Sequence, residues 1–216
     1  MGIKSLDQLK KSVENANTRG SGGNRFFSVN DGDRFKIWFL QEVAEDGASY
    51  DEDRGAAELV RVVQSPNDWT KRAVATDDLE EFDYKSWTKG QEGVDRGWRP
   101  KEHVLVNIAM REDDNEVNDW EPRVLDQKLS PAHIGSTLLD CAEAYGTLLD
   151  RPYQITRRGK GPDTQYQLIA LPEEDRPENL TELEMHDLNT HYKVVSPEKQ
   201  ESFYLGLEDG TKEEPW

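Results

Sequence analysis

Tyr153-Gln-Ile-Thr-Arg-Arg-Gly-Lys-Gly-Pro-Asp-Thr-Gln-Tyr-Gln-Leu-Ile-Ala-Leu171 reads as a β-hairpin. Tyr153 and Ile155 at one end, and Tyr166, Leu168 and Ala170 at the other, alternate with polar neighbours as residues on one face of a strand do. Gly159, Gly161 and Pro162-Asp163 supply the backbone freedom and restriction that a reversal needs. The turn is basic: Arg157, Arg158 and Lys160 stand there, with no acid from Arg151 to Pro162, in a chain of net charge −17. One reading is a solvated tip whose charges protect an exposed edge from aggregation. The other is a finger that contacts phosphates, since glycines admit a polyanion to the backbone and Arg or Lys neutralise it without reading bases. The spacing is not that of a nucleotide-binding loop, because neither G-x-x-x-x-G-K-[ST] nor a helix-opening G-x-G-x-x-G occurs.

Working outward, Ser130-Pro131 starts a helix as N-cap and first-turn proline, and Ile134, Leu138, Cys141 and Tyr145 recur at helical spacing up to Gly146. Cys141 on that stripe reads as a buried thiol. His103 to Met110 is a strongly apolar strand, and Trp120 to Lys128 a weaker one. From Phe26 to Val43 the pattern is again β: Phe35, Ile37 and Phe39 share one face, Arg34, Lys36 and Trp38 the other. Leu59 to Val63 is a short strand after an acidic 44–58 segment expected as an exposed loop. The fold class is therefore mostly β with one significant helix.

Three blocks together carry a resemblance. They are Tyr153-x-Ile-Thr-Arg-x-Gly-x-Gly-x-Asp-Thr-x-Tyr-x-Leu168, Arg25-Phe-Phe-Ser-Val-Asn-Asp-Gly-Asp-Arg-Phe-Lys-Ile-Trp-Phe-Leu40, and Trp98-Arg-Pro-Lys-Glu-His-Val-Leu-Val-Asn-Ile108. In their chain order, 25–40, 98–108 and 153–168, across roughly residues 1–171, these blocks resemble the single-stranded DNA-binding proteins of tailed bacteriophages, helix-destabilising replication proteins built on an OB-fold. The resemblance implies a five-stranded Greek-key barrel over 25–171 with an insertion at about 64–102. It also implies DNA coating during replication, recombination and repair in the cytoplasm of an infected bacterium. Many relatives of that kind hold structural zinc in the insertion. Here residues 64–102 contain neither Cys nor His, the ligands a closed zinc site requires, so no metal or other cofactor is expected.

The groove so implied combines cations at Arg34, Lys36, Lys71, Arg72, Arg99, Lys101, Arg157, Arg158 and Lys160 with stacking aromatics at Trp38, Trp69, Trp87, Trp98, Tyr153 and Tyr166. Sequence-tolerant binding of single strands needs this pairing, an aromatic face for each base and a counter-charge for each phosphate. For Trp38 the alternative is burial in a sheet covered on both sides. In the 64–102 window the aromatics equally suit a small core.

Residues 1–24 form a separate element: a basic helix over 5–17, opened by Ser5 and Gln8, then the Gly-rich 19–24 connection. It reads as a docked surface helix or, through the resemblance, as an arm that joins neighbouring protomers. Residues 172–216 hold 13 of the 44 acids and 4 of the 27 bases and are expected as an acidic, partly disordered tail. Its ending, with Glu208, Asp209, Glu213, Glu214 and Trp216, suits either solubilisation or docking of replication partners such as polymerase, helicase or primase.

Composition bounds the rest. Hydrophobic residues make up 34% and charged ones 33%, enough for one sizeable core with appendages. A single cysteine excludes an internal disulfide and suits a reducing compartment. No apolar run approaches a membrane span. Adjacent acids such as Asp77-Asp78, Glu80-Glu81 and Asp113-Asp114 point apart on a strand or turn, and His103, His133, His186 and His191 lack metal-ligand spacing, so an enzyme is not expected. The rival to DNA binding is an acidic adaptor or DNA-mimicking inhibitor that touches no nucleic acid.

Overall fold

The computed structural model describes residues 32, 34–65, 71–75, 100–112, 120–129, 134–159, 165–196, 199 and 202–204. The chain divides into two compact units, one of residues 1–60 and 102–189, the other of 61–101 and 190–216. It is mostly β, with antiparallel and parallel pairings both present and few helices.

In the first unit β1 (Arg34–Phe39) pairs antiparallel with β4 (Lys101–Glu112) on one side and with β6 (Tyr153–Arg158) on the other. β5 (Glu121–Lys128) lies against β4, and β7 (Gln165–Ala170) against β6. Residues opposite each other in such ladders share a face. Phe35, Ile37 and Phe39 therefore stand with Met110 and Ile108 on one flank and with Ile155 and Tyr153 on the other. That face meets α1 (Ile134–Tyr145), whose Ile134, Leu138, Cys141 and Ala142 complete the main core. Phe39 and Tyr153 meet edge to face, centroids 5.1 Å apart, which adds about 1 kcal/mol to their area burial.

The helix stops at Gly146, whose φ of +73° is the left-handed conformation that suits glycine and whose N–H reaches Ala142 O at 2.9 Å. Residues 130–133, with the expected cap, lie outside the described residues.

The 44–58 segment is less exposed than expected. Ala44, Ala56 and Ala57 are buried, and Glu42 sits beneath the loop as a buried carboxylate. It accepts from the hydroxyl of Thr147 and from the backbone N–H groups of Ser49 at 3.2 Å and Leu148 at 3.4 Å, so three donors hold the loop to the segment after the helix.

The larger correction concerns the acidic tail. Residues 172–189 belong to the first unit and cross the face of β1 and β4 that points away from the helix. Leu180, with 0% exposure, fills a second core with Trp38, Leu40, Ala109 and Trp120, flanked by Leu183 and Met185. Arg176 lies 5.6 Å over the Trp38 ring and donates to Phe39 O at 3.0 Å and Leu149 O at 3.2 Å. Arg54 donates to Leu40 O and Thr181 O, pinning the same strap further on. Two 3₁₀ turns occur along this stretch, Glu178–Thr181 and Leu188–Thr190.

In the second unit the end of β2 (Glu58–Gln64) pairs antiparallel with β3 (Arg72–Val74), and β3 pairs parallel with β8 (Lys193–Val194). Val63, Ala73, Ala75, Phe203 and Tyr204 make its core. Among the described residues after 189, Tyr192, Phe203 and Tyr204 are buried, while 197–198, 200–201 and 205–216 lie outside the described residues. No helix among the described residues is long and apolar enough to cross a membrane.

Candidate nucleic-acid interface

The outer face of the β7–β6–β1 ribbon carries a cleft of about 230 Å³, lined by Gly32, Arg34, Gln154, Thr156, Arg157, Arg158, Gln167 and Ile169. Its floor follows from register. Arg34 opposes Thr156, which opposes Gln167; one step along, Lys36 opposes Gln154, which opposes Ile169. Strand alternation sets these residues on the face opposite Phe35, Tyr153, Ile155 and Leu168, so the order that buries the core also displays a polar, cationic surface. Gly32, at φ +93°, donates its N–H to Arg157 O at 3.0 Å and closes the end of the cleft.

Electrostatically the cleft is one-sided, with three guanidinium groups and no carboxylate among its lining residues. Arg34 and Arg158 are exposed. Arg157 leans towards the opposite face, where its guanidinium stands 5.8 Å from the Tyr166 ring. Thr156 is 8% exposed, and its hydroxyl has no hydrogen-bond partner among the described residues. A threonine hydroxyl can both donate and accept a hydrogen bond.

Other expected site residues lie elsewhere. Trp38 and Tyr153 are both 0% exposed and offer no face to a base. Trp38 is enclosed because the 172–189 strap covers it, and Tyr153 because it faces α1. Burial also drives the Tyr153 phenol pKa well above its usual range, with Cys141 and Asp150 adding to the shift. Lys36 is engaged by Glu174 at 2.5 Å. Lys71, Arg72 and Lys101 belong to the second unit: Lys71 stands 5.5 Å from the Phe203 ring, Arg72 is buried with 8% exposure, and burial lowers the Lys101 ammonium pKa. Trp69, Trp87, Trp98, Arg99 and Lys160 lie outside the described residues, as do residues 1–24 and the docking residues Glu208, Asp209, Glu213, Glu214 and Trp216.

The geometry thus brings together Arg34, Arg157 and Arg158 and adds Gly32, Gln154, Thr156, Gln167 and Ile169, which sequence reasoning passed over. Their signal was the same alternation read from the other side: every second residue of β6, starting at Gln154, must face away from the core. No family model, no curated protein and no solved structure matches the chain.

Proposed function

We propose that this protein binds single-stranded DNA without sequence specificity, coating it during phage replication, recombination and repair, and that its first unit is an OB-type barrel. The observation that carries the reading is the cleft, where Arg34, Arg158 and a buried hydroxyl without a hydrogen-bond partner among the described residues meet on one sheet face, with Arg157 at the cleft's edge, in a chain of net charge −17. Exposed charges are screened beyond roughly 8 Å at physiological salt, so a local cationic site operates within an acidic protein. The three-block resemblance supports the same reading, as does an antiparallel arrangement in which β1 lies between the non-sequential partners β4 and β6. Binding energy gained only on unpaired strands lowers duplex stability by mass action.

A binding role also fits the groups that would otherwise suggest catalysis. His103 is held by Asp126 at 2.6 Å with both side chains nearly enclosed, and the Cys141 thiol is pushed up in pKa chiefly by burial. The test is anisotropy of labelled oligo(dT) and of a duplex of equal charge, titrated at matched salt. Tighter binding of the single strand is expected. Equal binding of both, or of neither, contradicts the proposal, and the second outcome returns the acidic-adaptor reading.

A further inference from the structure

Trp38 and Tyr153 are buried, and the cleft's own lining offers two glutamines as a means to tell an unpaired base from a paired one. We propose that Gln154 and Gln167 hold the Watson–Crick edge of an unpaired base whose phosphate rests on Arg34, Thr156 and Arg158. This deepens the single-strand reading and rests on it.

The register sets the distances. Arg34, Thr156 and Gln167 form one row across three strands, so Arg34 and Gln167 are two strand spacings, about 10 Å, apart. That span is comparable to a nucleotide's reach from phosphate to base edge. Gln154 and Gln167 are diagonal neighbours on one face, about 7–8 Å apart, close enough for both amides to reach one base. Ile169, 44% exposed beside them, offers an apolar contact for the ring. The cleft's 230 Å³ suits one nucleotide and not a run of them.

The chemistry accounts for tolerance as well as selectivity. A carboxamide presents a donor and an acceptor side by side. Each unpaired base does the same on its Watson–Crick edge: thymine with N3–H and O4, adenine with N1 and the 6-amino group, cytosine with N3 and the 4-amino group, guanine with N1–H and O6. A half-turn of the amide matches either polarity, so these residues accept all four bases. In a duplex those edges are consumed by pairing. The glutamines therefore select for the unpaired state and not for sequence, whereas the cations and Thr156 respond to phosphate in either form.

The test uses oligo(dT) and oligo(N3-methyl-dT) of equal length. The methyl group blocks the edge while retaining ring and phosphates. For the full-length chain the methylated strand is expected to bind about tenfold more weakly, the scale of one good bidentate contact. In the double variant Gln154→Met and Gln167→Met, which keeps side-chain volume, the gap should fall below about twofold with the salt dependence unchanged. Circular dichroism and the urea midpoint check that the variant is folded, and Gln167→Met alone, at the more exposed position, should already narrow the gap. Equal binding of the two strands by the wild type, or a gap that survives both variants, overturns this inference while leaving the single-strand reading intact. Failure of the wild type to bind oligo(dT) overturns both.

Discussion

Leu180→Ala probes whether residues 172–189 are part of the folded unit or a solvated acidic tail. Leu180 is fully enclosed by Trp38, Leu40, Ala109 and Trp120, with Leu183 and Met185 at the margin. Truncation removes the transfer energy of the lost methyl groups and leaves a cavity, and buried Leu→Ala changes cost about 2–5 kcal/mol together. Two features place this site in the lower half of that range. Leu183 and Met185 are only partly buried, so they are able to move inward, and Met adapts readily to irregular space. The expected loss is about 2–3 kcal/mol, or about 1 M in the urea midpoint for a slope of about 2–3 kcal/mol/M, the upper part of the usual range, since the slope grows with chain size. The assay is urea unfolding followed by circular dichroism, with tryptophan emission beside it, because a loosened strap exposes Trp38 to water and shifts its emission to the red. A midpoint within about 0.5 kcal/mol of wild type, the range of ordinary surface substitutions, would refute the reasoning and return the segment to the solvent.

Two further predictions follow from buried polar groups. The Tyr153 phenol has a folded-state pKa above its ordinary 10.0, so its contribution is complete below about pH 10 and is lost as pH rises through the folded value; the unfolding midpoint should fall on going from pH 9 to 11. Tyr153→Phe should flatten that decline and, by removing a buried hydroxyl without a partner among the described residues, leave stability at pH 7 equal to wild type or up to about 1 kcal/mol higher. Glu42→Ala leaves the Thr147 hydroxyl and two backbone N–H groups without their acceptor and should cost about 2–3 kcal/mol in thermal or urea unfolding, with faster amide exchange at Ser49 and Leu148 as the local readout. Unchanged exchange at those amides would show that the carboxylate does not hold the loop.

Elements with a clear period were legible. β6 and β7 lie where the alternation around Tyr153 and Leu168 places strands, although β6 runs on through Arg157 and Arg158, which read as turn, because both pair with β7; the stripe from Ile134 to Cys141 is the buried side of α1. The strap was not legible because it has no period: Leu180, Leu183 and Met185 are scattered among acids, and their burial depends on a surface 60 or more residues away in the chain. The warning lay in β1, where Ile37-Trp-Phe-Leu40 is apolar on both faces and so calls for cover on both. Reading Trp38 as a stacking platform followed its cationic neighbours, yet Lys36 finds Glu174, 138 residues on, a pairing that no local pattern encodes. Arg72 misled similarly, since a three-residue strand gives too short a pattern to distinguish a buried position from an exposed one. The cleft was half legible: its cations stood out against the acidic chain, while Thr156, Gln154 and Gln167 acquire meaning only when the register sets them beside Arg34.

The salt dependence of oligo(dT) binding by wild type and by Arg34→Ala with Arg158→Ala tests the central claim most directly. Each neutralised phosphate contributes about 0.7 to the slope of log K against log salt for a single strand, so the double variant, which releases the one phosphate held by both arginines, should bind more weakly at about 50 mM salt and show a slope shallower by about 0.7. Superimposable lines for the two proteins would contradict the account, because binding would then owe nothing to the cleft.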